Sequence, residues 1–154
     1  MRLGPLRLGA LLPLLLCAAS GRAAAEPPAW EAVLELQRED GRASEAFEPG
    51  EGVVLVVALR NPTQAPIQLS LATAQTHDFR IAAADGREVW RWSDGRRFAQ
   101  MLTELVLAPG EERRFQETWR PDPAPEPGRY RAEAWIGARR GGSPAAALDF
   151  RVLE

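Results

Sequence analysis

Cysteine is nearly absent. The 154-residue chain has one, Cys17, so an intrachain disulfide framework is excluded. Histidine is equally scarce, and His77 is the only imidazole. A nucleophilic serine needs an imidazole to take its proton. His77 alone could serve, yet the adjacent Asp78 would point to the opposite face of a strand. One imidazole among scattered carboxylates matches no transition-metal ligand pattern. Asp122 and Glu126, separated by proline, do not resemble a calcium loop. No glycine-rich phosphate cradle follows a strand. Lysine is missing altogether: all 19 cationic side chains are Arg, a pattern of coding bias rather than of selection for forked hydrogen bonding. No catalytic residue, cofactor or metal is expected, and the chain does not read as an enzyme.

What is present suits one domain. A chain of this size buries a real core without covalent staples. Apolar content of 45% and charged content of 26% argue against wholesale disorder. The 13 Gly and 13 Pro fall between apolar runs, which implies many short elements joined by turns.

Residues 1–25 read as a cleaved export signal. Arg2 and Arg7 make a positive start, Leu8 to Leu16 is apolar apart from Gly9 and Pro13, and Ala23-Ala24-Ala25 forms an A-x-A site before Glu26. The apolar stretch is well short of the roughly 20 residues a bilayer-spanning helix needs. Cys17 sits where a lipoprotein cysteine would, but Leu14-Leu15-Leu16 precede it where lipidation wants a small residue, so a lipid anchor is not expected. With Arg2, Arg7 and Arg22 removed, 16 Arg stand against 21 acids in residues 26–154, a formal charge of −5. A mildly acidic exported domain, secreted or periplasmic, is not built for nucleic acid.

From Trp30 onward the apolar period is two. Ile67, Leu69 and Leu71 alternate with polar or small residues, as do Tyr130, Ala132, Ala134 and Ile136, and Leu148, Phe150 and Val152. Phe115 and Trp119 bracket Glu117 at even spacing. Each pattern buries one strand face and wets the other. Val53 to Leu59 is apolar throughout and reads as a central strand covered on both sides, whereas Phe98 to Leu105 is mixed enough to leave a helix open. Turn signals lie at Pro49-Gly50, Asn61-Pro62, Asp85-Gly86, Asp94-Gly95, Pro109-Gly110 and Pro127-Gly128. Asp85-Gly86 predicts a two-residue hairpin turn with positive φ at both positions, between Phe79–Ala82 and Val89–Trp92. About eight or nine short strands at this spacing predict an antiparallel two-sheet sandwich. Pro121 to Pro127, with four prolines in seven residues, reads as a stiff loop or crossover.

Gly128-Arg129-Tyr130-Arg131-Ala132 resembles the G-x-Y-x-C segment of immunoglobulin-type domains, with Ala132 in the cysteine position. A tyrosine-corner role for Tyr130 and an ordinary core role both fit. Trp90 and Trp92 share a parity that points both rings inward, with Arg91 facing away from them. The Arg113-Arg114 pair follows Glu111-Glu112 and reads as a solvated charged edge; Arg96-Arg97 and Arg139-Arg140 are the other doublets.

A more specific signal lies in His77-Asp78-Phe79-Arg80-Ile81, then Asp85-Gly86-Arg87-Glu88-Val89-Trp90-Arg91-Trp92-Ser93, then Phe98-Ala99-Gln100. With Asn61-Pro62-Thr63 upstream, and Leu107-Ala108-Pro109-Gly110-Glu111, Trp119 and Pro127-Gly128-Arg129-Tyr130 downstream, this series resembles the BsuPI-type intracellular proteinase inhibitor family from about Trp30 to Ile136. The resemblance implies an immunoglobulin-like sandwich over residues 26–154 and inhibition of serine proteinases of the subtilisin type. It identifies no reactive-site residue.

Two functions follow from different classes. The first is an exported proteinase inhibitor presenting a rigid loop to the enzyme's cleft. The favoured loop is Ser93, Asp94, Gly95, Arg96 and Arg97, with the arginines offering a basic side chain to an acidic specificity pocket; Pro121 to Pro127 is the second choice. The alternative is an envelope protein-binding or assembly module that recognises its partner through a sheet edge or face. Export itself is testable. Mass spectrometry of the cellular protein should find a chain beginning at or near Glu26. An intact Met1 in the cytoplasmic fraction would refute the leader, and a diacylglycerol adduct on Cys17 would convert it to a lipoprotein signal.

Overall fold

The period-two stretches become strands, because alternate side chains can then share one buried face. The computed structural model of the chain describes residues 28–138 and 144–154, and no helix occurs among them. The leader, Cys17, the Ala25–Glu26 site and the Arg139-Arg140 doublet lie outside the described residues. β1 (Glu31–Gln37), β3 (Val53–Arg60) and β8 (Glu112–Trp119) form an antiparallel sheet with β3 in the middle. β2 (Ala46–Phe47), β10 (Ala146–Val152), β9 (Gly128–Ile136), β5 (His77–Ala83) and β6 (Glu88–Arg91) form a five-stranded sheet in that order. Its pairings are antiparallel except for the short β2–β10 contact, which is parallel. β4 (Ile67–Leu71) and β7 (Thr103–Leu107) pair as a separate two-stranded sheet.

The main core joins the two larger sheets as two layers. Leu36, Leu55, Val57 and Trp119 from one meet Phe79, Ile81, Ala132 and Phe150 from the other in one cluster. Val53 to Leu59 is the central strand the sequence indicates. Its outer row, Val54 and Val56, is buried between cross-strand neighbours Glu35 and Gln37 on one side and Gln116 and Thr118 on the other. A second cluster of Leu59, Leu71, Leu105 and Leu107 seats the β4–β7 sheet at one end. Here the stretch from Phe98 resolves. Residues 98–102 are irregular, and Thr103–Leu107 is a strand, with Leu105 and Leu107 buried and Glu104 and Val106 exposed. Residues 120–127 carry the chain from β8 in one sheet to β9 in the other, as a proline-stiffened crossover.

The β5–β6 hairpin turns differently from the two-residue form. No non-glycine residue among the described ones has positive φ, and Gly86 alone takes it here, at 84°. Ala83 N–H donates to Arg87 O, and Gly86 N–H donates to Ala83 O. The loop is therefore three residues long, with glycine in the left-handed position. Asp85 stays at negative φ and accepts the Arg87 N–H at 2.9 Å instead. Past the turn, Ala82 faces Glu88 while Ile81 faces Trp90, so Val89 is bulged out of register. Both Val89 and Trp90 consequently pack on the core, and Glu88 and Arg91 share the outer face.

Tyr130 resolves in favour of the corner. Its hydroxyl donates to the Glu126 carbonyl at 2.7 Å, while its ring stacks on Phe150 at 5.7 Å. Burial pushes the phenol's pKa above its usual value, with the Glu126 carboxylate adding to the effect. Tyr130→Phe keeps the stack and strands the carbonyl, so urea melts should show a loss of about 1 kcal/mol. No loss would mean that the corner bond contributes nothing to holding the crossover.

Candidate functional site

The residues that carry the family-like spacing converge in space. Asp78 is 2% exposed. A carboxylate this deep must be satisfied by hydrogen bonds or lose its charge. Its Oδ1 accepts Phe79 N–H at 2.9 Å and Ser93 N–H at 3.2 Å, and its Oδ2 accepts the Ser93 hydroxyl at 2.7 Å. The Arg91 guanidinium lies 3.8 Å away and also pairs with Glu88. Arg91 is thus no free surface cation: its side chain is 16% exposed and held between two carboxylates.

The opposite face of β5 holds His77. As the sequence parity requires, its partners differ from those of Asp78. The ring stacks between Trp92 at 4.3 Å and Phe115 at 5.0 Å. Nε2 lies 3.1 Å from Glu117 Oε1 and Nδ1 lies 3.0 Å from the Thr76 hydroxyl. A neutral ring protonated on Nε2 satisfies both, donating to Glu117 and accepting from Thr76. Ser93 bonds to Asp78, whereas the imidazole bonds to Thr76 and Glu117 and ties β5 to β8 across the sandwich. Glu117 was the partner hidden in the sequence. The signal was its shared parity with Phe115 and Trp119, which puts a carboxylate on an apolar inner row.

Trp92 links both systems. Phe98 packs on it at 5.6 Å, and the Arg96 guanidinium lies 4.7 Å over its ring while Arg96 Nε donates to Trp92 O. The cation on this tryptophan therefore comes from four residues downstream and not from Arg91. Ser93–Arg97, the expected contact loop, is compact. Asp94 N–H donates to Arg91 O, Arg96 N–H donates to Ser93 O, and Gly95 takes φ of 72°. Within it Ser93 and Arg96 are engaged internally, and Asp94, Gly95 and Arg97 face solvent.

A second knot joins two further pieces of the series. Asn61 is fully buried; its amide donates to Ala65 O and Leu107 O, and its Oδ1 accepts from the Thr63 amide and hydroxyl. Its backbone exchanges bonds with Glu111 and Gly110, locking Asn61-Pro62-Thr63 against Pro109-Gly110-Glu111. Glu111 accepts Ala108 N–H, which holds its carboxyl below the usual range, with Arg113 assisting. Arg113 and Arg114 pair with Glu111 and Glu112, the charged edge their order in the chain implies. Pro121 to Pro127 stands apart from both knots and is the crossover described above.

Burial pushes the His77 pKa below its usual value, against the opposing pull of Glu117. Between the ordinary histidine range near about 6.5 and that lower value, the unfolded chain binds the extra proton, so stability falls as pH falls. His77→Phe keeps a flat ring for stacking and removes the titration. Urea midpoints should fall more between pH 7.5 and pH 5.5 for wild type than for the variant; equal falls would show that folding leaves the imidazole's proton affinity unchanged.

No curated protein matches the chain. Among solved structures, the chain resembles the Pseudomonas fluorescens alkylpurine DNA glycosylase AlkC bound to DNA containing an abasic site analogue, at 14% identity and a TM-score of 0.46, covering 82% of this chain and 31% of that one. It also resembles the CARDB domain of a Pyrococcus furiosus protein, at 14% identity and a TM-score of 0.41, covering 80% and 95%. The C-terminal domain of wzt is similar at 12% identity and a TM-score of 0.45, covering 79% and 71%. The family described as BsuPI, intracellular proteinase inhibitor, matches residues 42–141 and takes in both knots and the Ser93–Arg97 turn. With more than half of its length in that match, the chain belongs to the BsuPI intracellular proteinase inhibitor family.

Proposed function

We propose that the domain is an exported inhibitor of serine proteinases of the subtilisin type, and that it meets its target through the loop that begins at Ser93, Asp94, Gly95, Arg96 and Arg97. Family membership supports a proteinase as partner. The observation that carries the loop assignment is the anchoring of Ser93 on the buried Asp78 carboxylate. A loop fixed by a buried charge has little ordering left to lose on binding, which favours tight association. The export half of the reading rests on the sequence of residues 1–25, whereas the family's description is intracellular.

The test is a titration of the purified chain against subtilisin-like and trypsin-like enzymes. Stoichiometric loss of subtilisin activity is the expected result. Ser93→Ala removes a hydrogen bond to a buried charge and loosens the turn, so inhibition should weaken about tenfold with the fold retained by circular dichroism. Full enzyme activity throughout the panel would leave the domain as a protein-binding module without inhibitory action.

A further inference from the structure

Beyond the Ser93–Arg97 turn the chain leaves regular structure until β7 begins at Thr103. Residues 97–102 nonetheless have fixed ends. Phe98 is pinned on Trp92, Ala99 O accepts the Ala74 N–H at 3.0 Å, and Thr103 opens the ladder opposite Leu71. The segment between these anchors turns its apolar side chains outward. Leu102 is 79% exposed and Met101 58%. In β7, which follows directly, the inward-facing Leu105 and Leu107 are buried. Single exposed leucines are common on protein surfaces. Two adjacent large apolar side chains on an irregular segment held at both ends, in a member of a proteinase inhibitor family, make a more particular arrangement.

We propose that Met101 and Leu102, and not the arginines of the preceding turn, are the side chains this domain delivers to its target, and that the target is a serine proteinase with an apolar specificity pocket. This rests on the inhibitor reading above. Three features favour this occupant. An anchored segment without regular structure is the form of backbone that a proteinase cleft accepts, pairing its main chain as an added strand. Among the described residues, the amides of Gln100, Met101 and Leu102 donate to no backbone carbonyl, which leaves them for such pairing. The side chain that enters must be free of duties in the fold. Leu102 meets that condition, whereas Arg96 is committed to Trp92 and its carbonyl. Chemistry then selects the pocket: a leucine or methionine gains by leaving water for an apolar slot, whereas an acidic pocket would bury its own charge unpaired against them.

The experiment compares five forms of the full chain, wild type, Leu102→Asp, Met101→Asp, the two combined, and Arg97→Ala, titrated against subtilisin and trypsin. All three positions are exposed, so thermal melts should be unchanged. Expected is inhibition of subtilisin that weakens at least about tenfold with Leu102→Asp, less with Met101→Asp, and not at all with Arg97→Ala. Subtilisin inhibition that survives Leu102→Asp and Met101→Asp combined would overturn the assignment while the inhibitor reading stands. Inhibition of trypsin alone, abolished by Arg97→Ala, would return the contact to the arginines. Absence of any inhibition at about 10 μM would overturn the inhibitor reading, and this inference with it. Sedimentation showing a dimer that Leu102→Asp dissolves, without inhibition, would mean that a second copy of the chain is what covers the pair.

Discussion

A negative charge buried under a turn organises this domain. Asp78 sits where solvent cannot reach it, and an unpaired carboxylate there would cost several kcal/mol. Its lone pairs must be filled, and the groups that fill them come from its neighbour in β5 and from a turn fifteen residues on. That requirement dictates where β6 ends and places Arg91 on the outer face. It also directs Trp92 inward onto His77. Phe98 and Arg96 then close over the tryptophan from the far side. The hydrophobic effect supplies most of the stability of such a core, but it is non-directional. The carboxylate provides what burial alone lacks, a single position for the loop.

The family-specific residues are chiefly scaffold. Asn61, Asp78, Ser93 and Tyr130 each satisfy a buried polar group or fix a turn, and Trp92 stacks on His77. The residues left free by them, Asp94, Gly95, Arg97, Met101 and Leu102, are ordinary in type and form no motif. The first set determines where the second is held. Such a division lets one scaffold carry different exposed residues, because altering an exposed side chain leaves the buried hydrogen bonds intact.

Much of the architecture was legible because period two is a local property. The strands around Ile67–Leu71, Tyr130–Ile136 and Leu148–Val152, the central Val53–Leu59 run, the β5–β6 hairpin and the proline crossover all follow from alternation and turn residues. What escaped the sequence is either non-local or a matter of one residue. The His77–Glu117 contact joins positions forty apart across two sheets, and nothing in either neighbourhood names the other. Sheet order is likewise invisible, since no pattern tells β10 to lie between β2 and β9. The bulge at Val89 shifts a register by one, and the hairpin turn takes the three-residue form because only Gly86 accepts positive φ. At the candidate site the acid, the serine and the tryptophans were evident as a series. Their common centre required a carboxylate to reach over a turn, which spacing alone does not encode.

The place of β10 in the five-stranded sheet bears on how the protein is made. It lies between β2 and β9, and its Phe150 and Val152 complete the cluster that holds the two layers together. Until the ribosome has released this strand, β2 has no ladder partner in the sheet and the layers lack part of their shared interior. Synthesis therefore runs ahead of folding for nearly the whole domain, unlike a fold whose early segments close by themselves. During that interval Val53–Leu59, apolar on both faces, is exposed to water as an aggregation-prone segment.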